Sequence, residues 1–313
     1  MSLPSFVDNV IPYACQWLAD GSRVALITLV GVDGSSPRPV GSQVAVREDG
    51  EFVGLISGGC VEAALVHEAR AAMAEGKNRL LRYGKGSPYF DIQLPCGSGI
   101  DILIDVTFDG DVLMSLQQFQ LAREPVMLCI KLQEALNNES GYLHLEPYSG
   151  RQNPQKNSDA GTFVRYYPPT ARLLAFGRGE IFQQVITLAP AIGFEVIAVS
   201  PDKPNELARL QTLANPTHFD PTWCDAWTAA ALLFHDHEWE GPILQNLLAS
   251  DCFYIGALGS QRSQKLRQDW LTAHGVGQEK IGRIKGPIGL DIGSRTPPEI
   301  AISILAEIIS WRR

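Results

Sequence analysis

The stretch LLAFGRGEIF, residues 173–182, decides how the second half of the chain folds. A short apolar run ends on Phe176-Gly177-Arg178-Gly179, and a helical pattern starts at once. A strand that turns through glycines into a helix opens a nucleotide-binding βαβ unit. The same rhythm continues downstream. Strands are expected at Arg172 to Phe176, Glu195 to Val199, Ala230 to Phe234 and Phe253 to Ile255, with helices near 180–192, 204–214, 241–249 and 261–274. Such alternation predicts a parallel sheet with helices on both faces, a Rossmann-like domain. A last helix starts where Thr296 caps it, Pro297 takes its first position and Glu299 completes a capping box. Ile300, Ile304, Leu305, Ile308 and Trp311 form its apolar stripe.

The dinucleotide fingerprint is incomplete. Phe182 stands where a third glycine is expected, and Glu180 at the helix start repels a pyrophosphate. Ser200 occupies the place of the ribose-binding acid, with Asp202 two positions on. These departures argue against bound NAD(P) but not against the fold. An NAD(P)-dependent oxidoreductase is kept as the alternative reading, without an evident residue for hydride-transfer chemistry.

Upstream the pattern is different. Residues 1–20 read as a helix leading into a strand, Val24 to Val30. The loop GVDGSSPRPVGSQ (31–43) follows, then strands Val44 to Arg47 and Glu51 to Ile56 joined by Glu48-Asp49-Gly50 as a hairpin. Val61 to Ala74 is helical, with Val61, Ala64, Leu65 and Ala69 on one face and Gly76 at its end. Further strands are expected at Asp91 to Leu94, Ile100 to Val106, Val126 to Lys131, Tyr142 to Leu145 and Thr162 to Tyr166, and a helix at Val112 to Ala122. The polar stretch 147–160 reads as a mobile loop. Pro168-Pro169 marks a boundary, so residues 1–168 form a mixed α/β domain and 169–313 the Rossmann-like one.

Composition narrows the function classes. A net charge of −8 over 313 residues opposes a broad nucleic-acid or anionic-membrane surface. No apolar run is long enough to cross a bilayer, and the N-terminus lacks the features of a secretion signal, so a cytoplasmic protein is expected. Six scattered cysteines without a C-x-x-C pair argue against a disulfide framework or a zinc ribbon, and most are expected to be small buried hydrophobes. A homodimer is the default assembly.

Several stretches carry chemistry. In SGGCVE, Ser57, Gly58, Gly59 and Cys60 stand before a helix with Glu62 in its first turn. Helix-start amides attract anions, and a thiol there has its thiolate favoured, so Cys60 is able to ligate a soft metal or carry sulfur. A tight turn with a buried cysteine is the plain alternative. In LPCGSG, Cys96 and Gly97 repeat the theme, or make a hairpin turn. Arg38, held between two prolines beside serines, suits a phosphate or a partner's carboxylate, or belongs to an exposed loop. Gly259-Ser260 opening a helix with Arg262, Lys265 and Arg267 is a second anion site or a solvated face. His235, Asp236 and His237 close a strand, as a metal site or as strand-end hydrogen-bonding groups. Asp291 and Arg295 line a cleft or pair with each other.

Taken in order, GSSPRPVG, SGGCVE, LPCG, FGRG, HDHE, YIGALGSQR and PIGLDIGSRTPPEIA resemble the XdhC/CoxI family of xanthine dehydrogenase accessory proteins, from about residue 20 to 310. The resemblance implies an accessory protein that binds molybdenum cofactor, a pterin dithiolene carrying a phosphate. It implies delivery of that cofactor to a xanthine dehydrogenase-type molybdoenzyme. Sulfuration by a sulfur-donating partner such as a cysteine desulfurase belongs to the same picture. It implies a chaperone rather than an enzyme. Arg38, Ser57, Gly58, Gly59, Cys60, Glu62, Cys96, Gly97, Gly177, Gly179, Gly259, Ser260, Arg262 and Asp291 are then the candidate cofactor-binding residues, with Cys60 and Cys96 as metal ligands. Ser57 and Ser98 depart mildly from the family pattern, and Phe234 before His235 replaces a residue that is commonly threonine.

Overall fold

The computed structural model describes residues 8–59, 61–87, 97–150, 161–202, 210–212, 219–234 and 239–312. Cys60, Cys96, the strand expected at 91–94, residues 151–160 of the expected mobile loop and the His235-Asp236-His237 run lie outside them. The chain divides into two compact units, Met1–Pro168 and Pro169–Arg313.

In unit 1 a five-stranded antiparallel sheet has the order β3-β2-β1-β5-β4. Its strands are β1 (Val24–Asp33), β2 (Gln43–Arg47), β3 (Phe52–Gly54), β4 (Arg79–Gly84) and β5 (Gly99–Asp105). Strand side chains alternate between faces, which sorts the apolar residues of β1 into two cores. Ala25, Ile27 and Leu29 meet Val61, Leu65 and Ala69 around α2 (Glu62–Glu75). Val24 and Leu26 meet α1 (Ile11–Ala19) and α3 (Gly110–Leu121) through Ala14, Trp17, Leu113 and Leu116. Gly76 ends α2 in the left-handed conformation expected of a glycine there. β6 (Val126–Lys131), the short α4 (Leu132–Leu136), β7 (Leu143–Pro147) and β8 (Thr162–Tyr167) follow, and the strands pair antiparallel as β7-β6-β8. Val126, Leu128 and Ile130 of β6 join the core of α1 and α3.

β4 is an addition to the sequence reading. Its RLLRYG has no clean alternation, because it is an edge strand with most residues only half covered.

Unit 2 is a six-stranded sheet of order β11-β10-β9-β12-β13-β14, parallel throughout. Its elements are β9 (Arg172–Gly177), α5 (Glu180–Leu188), β10 (Glu195–Ser200), β11 (Leu210–Thr212), β12 (Thr228–Leu233), α6 (Glu240–Leu248), β13 (Tyr254–Ala257), α7 (Gln261–Ala273), α8 (Gln278–Ile281), β14 (Ile284–Lys285) and α9 (Pro297–Trp311). The order is that of a Rossmann sheet, 3-2-1-4-5-6, with its switch point between β9 and β12. α5 and α9 cover one face through Phe182, Val185, Ile304 and Ile308. α6 and α7 cover the other through Ile243, Leu244, Leu247 and Leu271. Phe182, in the third-glycine position, is fully buried there. It stabilises the helix–sheet contact by about 2–3 kcal/mol where a nucleotide-binding glycine contributes only close approach.

Residues 210–212 are strand and not part of the helix expected over 204–214, whose remaining residues lie outside the described ones. β11 pairs with β10 as the third strand of the Rossmann order, and that non-local partner overrides local propensity. At α9 the Glu299 carboxylate accepts from Thr296 N at 3.0 Å, closing the expected capping box. Trp311, at the far end of the stripe, is 47% exposed. Among the described residues no helix is long and apolar enough to cross a membrane.

Candidate functional site

The register of the five-stranded sheet brings three loops together. β1 runs antiparallel to β2 and β5, β2 to β3, and β5 to β4. The exits of β1, β3 and β4 and the entries of β2 and β5 therefore share one end of the sheet. Loop 34–42, turn 55–61 and the connection 85–98 all leave from that end. The loop and the connection touch: Ser98 Oγ donates to Ser35 O, and a Cβ on Gly34 would lie 3.0 Å from Ser98 Cβ. Gly59, Val61 and Gly97, the described neighbours of the two candidate thiols, belong to this end. Three inter-strand spacings, about 14 Å, separate β3 from β5. One metal ion is held by Cys60 and Cys96 together only if their segments converge over the ends of β2 and β1.

The SGG turn has an internal anion. Glu62 Oε1 accepts from Ile56 N at 3.0 Å and Ser57 N at 2.8 Å. Its Oε2 accepts from Gly59 N at 2.9 Å, Val61 N at 3.2 Å and Ser57 Oγ at 2.8 Å. Burial opposes the charge on Glu62, yet the Ser57 and Ile56 amides and the Ser57 hydroxyl hold its carboxyl below the ordinary value. The Ile56, Ser57, Gly59 and Val61 amides, expected to draw a ligand's anion, are engaged by Glu62. Gly58 and Gly59 have φ of 83° and 114°, are exposed, and leave open space where a Cβ would stand. Glycine is needed there for the left-handed backbone that wraps the amides around the carboxylate.

Arg38 emerges from loop 34–42 and pairs with Asp8. Arg165 of β8 approaches the same loop, its Cγ lying 3.8 Å from where a Gly41 Cβ would stand. The Arg165 guanidinium lies over the Tyr167 ring, 4.3 Å from its centroid, and its Nη1 is buried without a hydrogen-bond partner. Burial, together with the charge of Arg38, pushes Arg165 below its ordinary value, while Tyr167 and Asp8 act in the opposite sense. The Arg38 guanidinium and the Asp8 carboxylate thus act on the Arg165 charge in opposite senses.

In unit 2 the expected sites separate. Gly177 has a packing cause, since a Cβ there would lie 2.7 Å from Leu233 O. Gly179, with φ 82° and ψ −173°, caps α5, and Glu180 is the first helical residue. Ser200 is buried, and its Oγ accepts from Asp202 N at 3.2 Å. Among the described residues, Gly177, Gly179 and Ser200 serve packing, capping and a turn. Ser260 caps α7 by accepting from Ser263 N at 3.2 Å, and a Cβ on Gly259 would crowd Ser263. Arg262 and Lys265 are exposed, whereas Arg267 turns inward to Glu240 with bonds of 2.8 and 3.0 Å. The expected anion site at this helix therefore loses its third cation to the core. Asp291 is exposed and accepts from Gly293 N at 3.4 Å, so its described partner is a turn amide and not Arg295.

Comparison with known proteins supplies the deciding observation. Residues 17–84 match the model of the XdhC and CoxI family, and residues 173–308 that of the XdhC Rossmann domain. The chain is 34% identical over 304 residues to the molybdenum cofactor insertion chaperone PaoD of Escherichia coli (strain K12), covering 97% of this chain and 88% of that protein. The chain belongs to the XdhC/CoxI family. A probable xanthine dehydrogenase subunit from Bacillus subtilis (strain 168) is 26% identical over 323 residues, covering 95% of each chain. A crystal structure described as a xanthine dehydrogenase from Bacillus halodurans shares the fold, with TM-score 0.75, 24% identity, and coverage of 96% of this chain and 95% of that one.

The XdhC/CoxI match over residues 17–84 contains Arg38, Ser57, Gly58, Gly59, Cys60 and Glu62. Cys96, Gly97 and Arg165 lie between the two matched regions. Arg165 is the residue that the sequence reading of this XdhC/CoxI chain missed. Its segment FVRYY shows an arginine within an apolar strand, but only the approach of loop 34–42 reveals what it faces.

Proposed function

We propose that the chain binds molybdenum cofactor as cargo and delivers it to a xanthine dehydrogenase-type molybdenum hydroxylase, supporting its sulfuration before transfer. Family membership and the named role of PaoD support this reading. The observation in this chain that carries it is the single sheet end from which loop 34–42, turn 55–61 and connection 85–98 emerge. The cargo combines a phosphate with a molybdenum–sulfur centre, so its holder needs cationic donors and soft ligands in one place. The residues fit both demands. Arg165 Nη1 is a buried donor without an acceptor, and Arg38 stands beside it. The phosphate is held by these two arginines, taking the place of the Asp8 carboxylate, while Cys60 and Cys96 contact the molybdenum–sulfur centre. Gly58, Gly59 and Gly97 keep the approach open, and Glu62 fixes the turn that runs from Ile56 to Gly59. The chain acts as a binding protein in the cytoplasm, without a catalytic residue of its own. A cysteine desulfurase as sulfur donor and a two-fold dimer complete the proposal, read by pull-down and by light scattering.

The test mixes the purified full chain with released cofactor and follows retention through a desalting column. The parent is expected to retain cofactor, and Cys60→Ala and Cys96→Ala to release it. Retention equal to the parent's in both variants defeats the thiol roles. No retention by the parent defeats the function.

A further inference from the structure

A second group of ligand-type side chains lies in unit 1, on the three-stranded sheet β7-β6-β8. β6 is its central strand, paired on both sides. Its even-numbered residues Val126, Leu128 and Ile130 face the core. Met127, Cys129 and Lys131 therefore face the other side. The register sets Cys129 opposite His144 and Met127 opposite Glu146. Cross-strand partners share a face, and so do residues two apart on a strand. Cys129, His144 and Glu146 thus project together, and one ligand atom from each lies within 4.8 Å of the others. His144 Nε2 is 3.4 Å from Glu146 Oε1.

We propose that Cys129, His144 and Glu146 form a three-ligand site for a borderline divalent cation of the zinc type, with a fourth coordination position open to solvent. Thiolate, imidazole and carboxylate are the three side-chain donors zinc takes, at about 2.0–2.3 Å. Tetrahedral coordination at those lengths sets donors about 3.3–3.8 Å apart, so the triangle closes by roughly 1 Å. The means of closing it are present. His144 and Glu146 side chains are 42% and 48% exposed and rotate without disturbing the core. Cys129 is 3% exposed on a strand anchored along both edges, which makes it the rigid member of the set. Binding forms a metal–sulfur bond and releases the thiol proton to solvent, without oxidant or reductant. Three protein donors with an open fourth place is the composition of an exchangeable site rather than a closed structural one. Nothing in the proposed handling of molybdenum cofactor uses these residues, so the two readings stand or fall separately.

The experiment titrates the chelator-treated full chain with Co²⁺. Expected are a thiolate-to-cobalt charge-transfer band and tetrahedral ligand-field absorption saturating at one equivalent, both abolished by added Zn²⁺. Cys129→Ser removes the charge-transfer band, and His144→Ala weakens binding at least tenfold. His144 is half-exposed, so its variant tests the site without emptying the core. The double variant Cys60→Ala/Cys96→Ala keeps the spectrum of the parent. Absence of the band in the parent overturns the proposal. So does a band that survives Cys129→Ser, or one lost in the Cys60/Cys96 double variant.

Discussion

Two buried carboxylates in unit 1 respond to folding in opposite ways. Glu62 gathers amide and hydroxyl donors and is held below its ordinary 4.5 despite burial. Its folded value lies under its unfolded one, so the stabilisation is complete above pH 4.5 and is lost as the pH falls through the folded value. Glu62→Gln turns an amide NH2 toward N–H donors. The expected loss is about 2–4 kcal/mol in urea unfolding at neutral pH. Asp105 is the reverse case. Burial raises it from 3.8 to about 6, against the Tyr142 hydroxyl that donates to its Oδ1 at 2.6 Å, and its Oδ2 has no partner. Between those values the folded chain keeps a proton that the unfolded chain releases, so stability falls as pH rises and the penalty, roughly 3 kcal/mol, is complete above pH 6. Asp105→Asn keeps the Tyr142 bond and removes the buried charge. Its thermal midpoint at pH 7 is expected to exceed the parent's, and its pH 4–6 slope to flatten. A lower midpoint would show that the charge is compensated. Glu62 was legible in the sequence as a helix-start acid, but the donors that fill its oxygens come from a backbone shape that two positive-φ glycines create. Asp105 carried no signal, because burial of a strand-end residue depends on what packs over it.

At the scale of elements, α6 and α7 are tied by one ion pair. Arg267 and Glu240 are 5% and 1% exposed and share two hydrogen bonds. Such a pair adds little net stability over apolar packing, but removing one partner strands a buried charge. Arg267→Met is therefore expected to cost about 3–5 kcal/mol. Arg267→Met/Glu240→Leu is expected to recover most of it, read as the midpoint of urea unfolding. An additive double variant would mean that the two residues act separately. The buried face of α7 is Gln264, Arg267 and Leu271, at helical spacing. The sequence reading grouped Arg267 with Arg262 and Lys265, and singling it out as the buried cation needed Glu240 in place. Unit 2 was legible for the same reason that it is regular. Short buried strands alternating with helices leave few topologies, and of the strands β11 and the two-residue β14 escaped because each rests on its neighbour, β10 and β13.

At the scale of the molecule, the units differ in how function is stored. The parallel sheet of unit 2 presents the usual switch point, yet Gly177, Gly179 and Ser200 are used for packing, capping and a turn. Unit 1 gathers its loops by antiparallel pairing, which sequence periodicity cannot reveal, since register over β1, β2 and β5 depends on partners far apart in the chain. That end of unit 1 also holds an interaction unfavourable to the unliganded chain. Arg165 has a buried donor unmet and the charge of Arg38 beside it. If the two arginines serve a phosphate, then Arg165→Met has effects of opposite sign. The unliganded chain gains thermal stability, because the repulsion from Arg38 and an unmet buried donor are removed together. Cofactor retention falls roughly 10–100-fold, the loss expected for a charged hydrogen-bonding group worth about 1.5–3 kcal/mol. Arg165→Lys keeps the charge without the planar fork and is expected to fall between. Thermal melts without cofactor and retention on desalting read the two effects in one preparation. A variant that melts lower and retains cofactor as well as the parent would make Arg165 a structural residue and return the phosphate to another part of the sheet end.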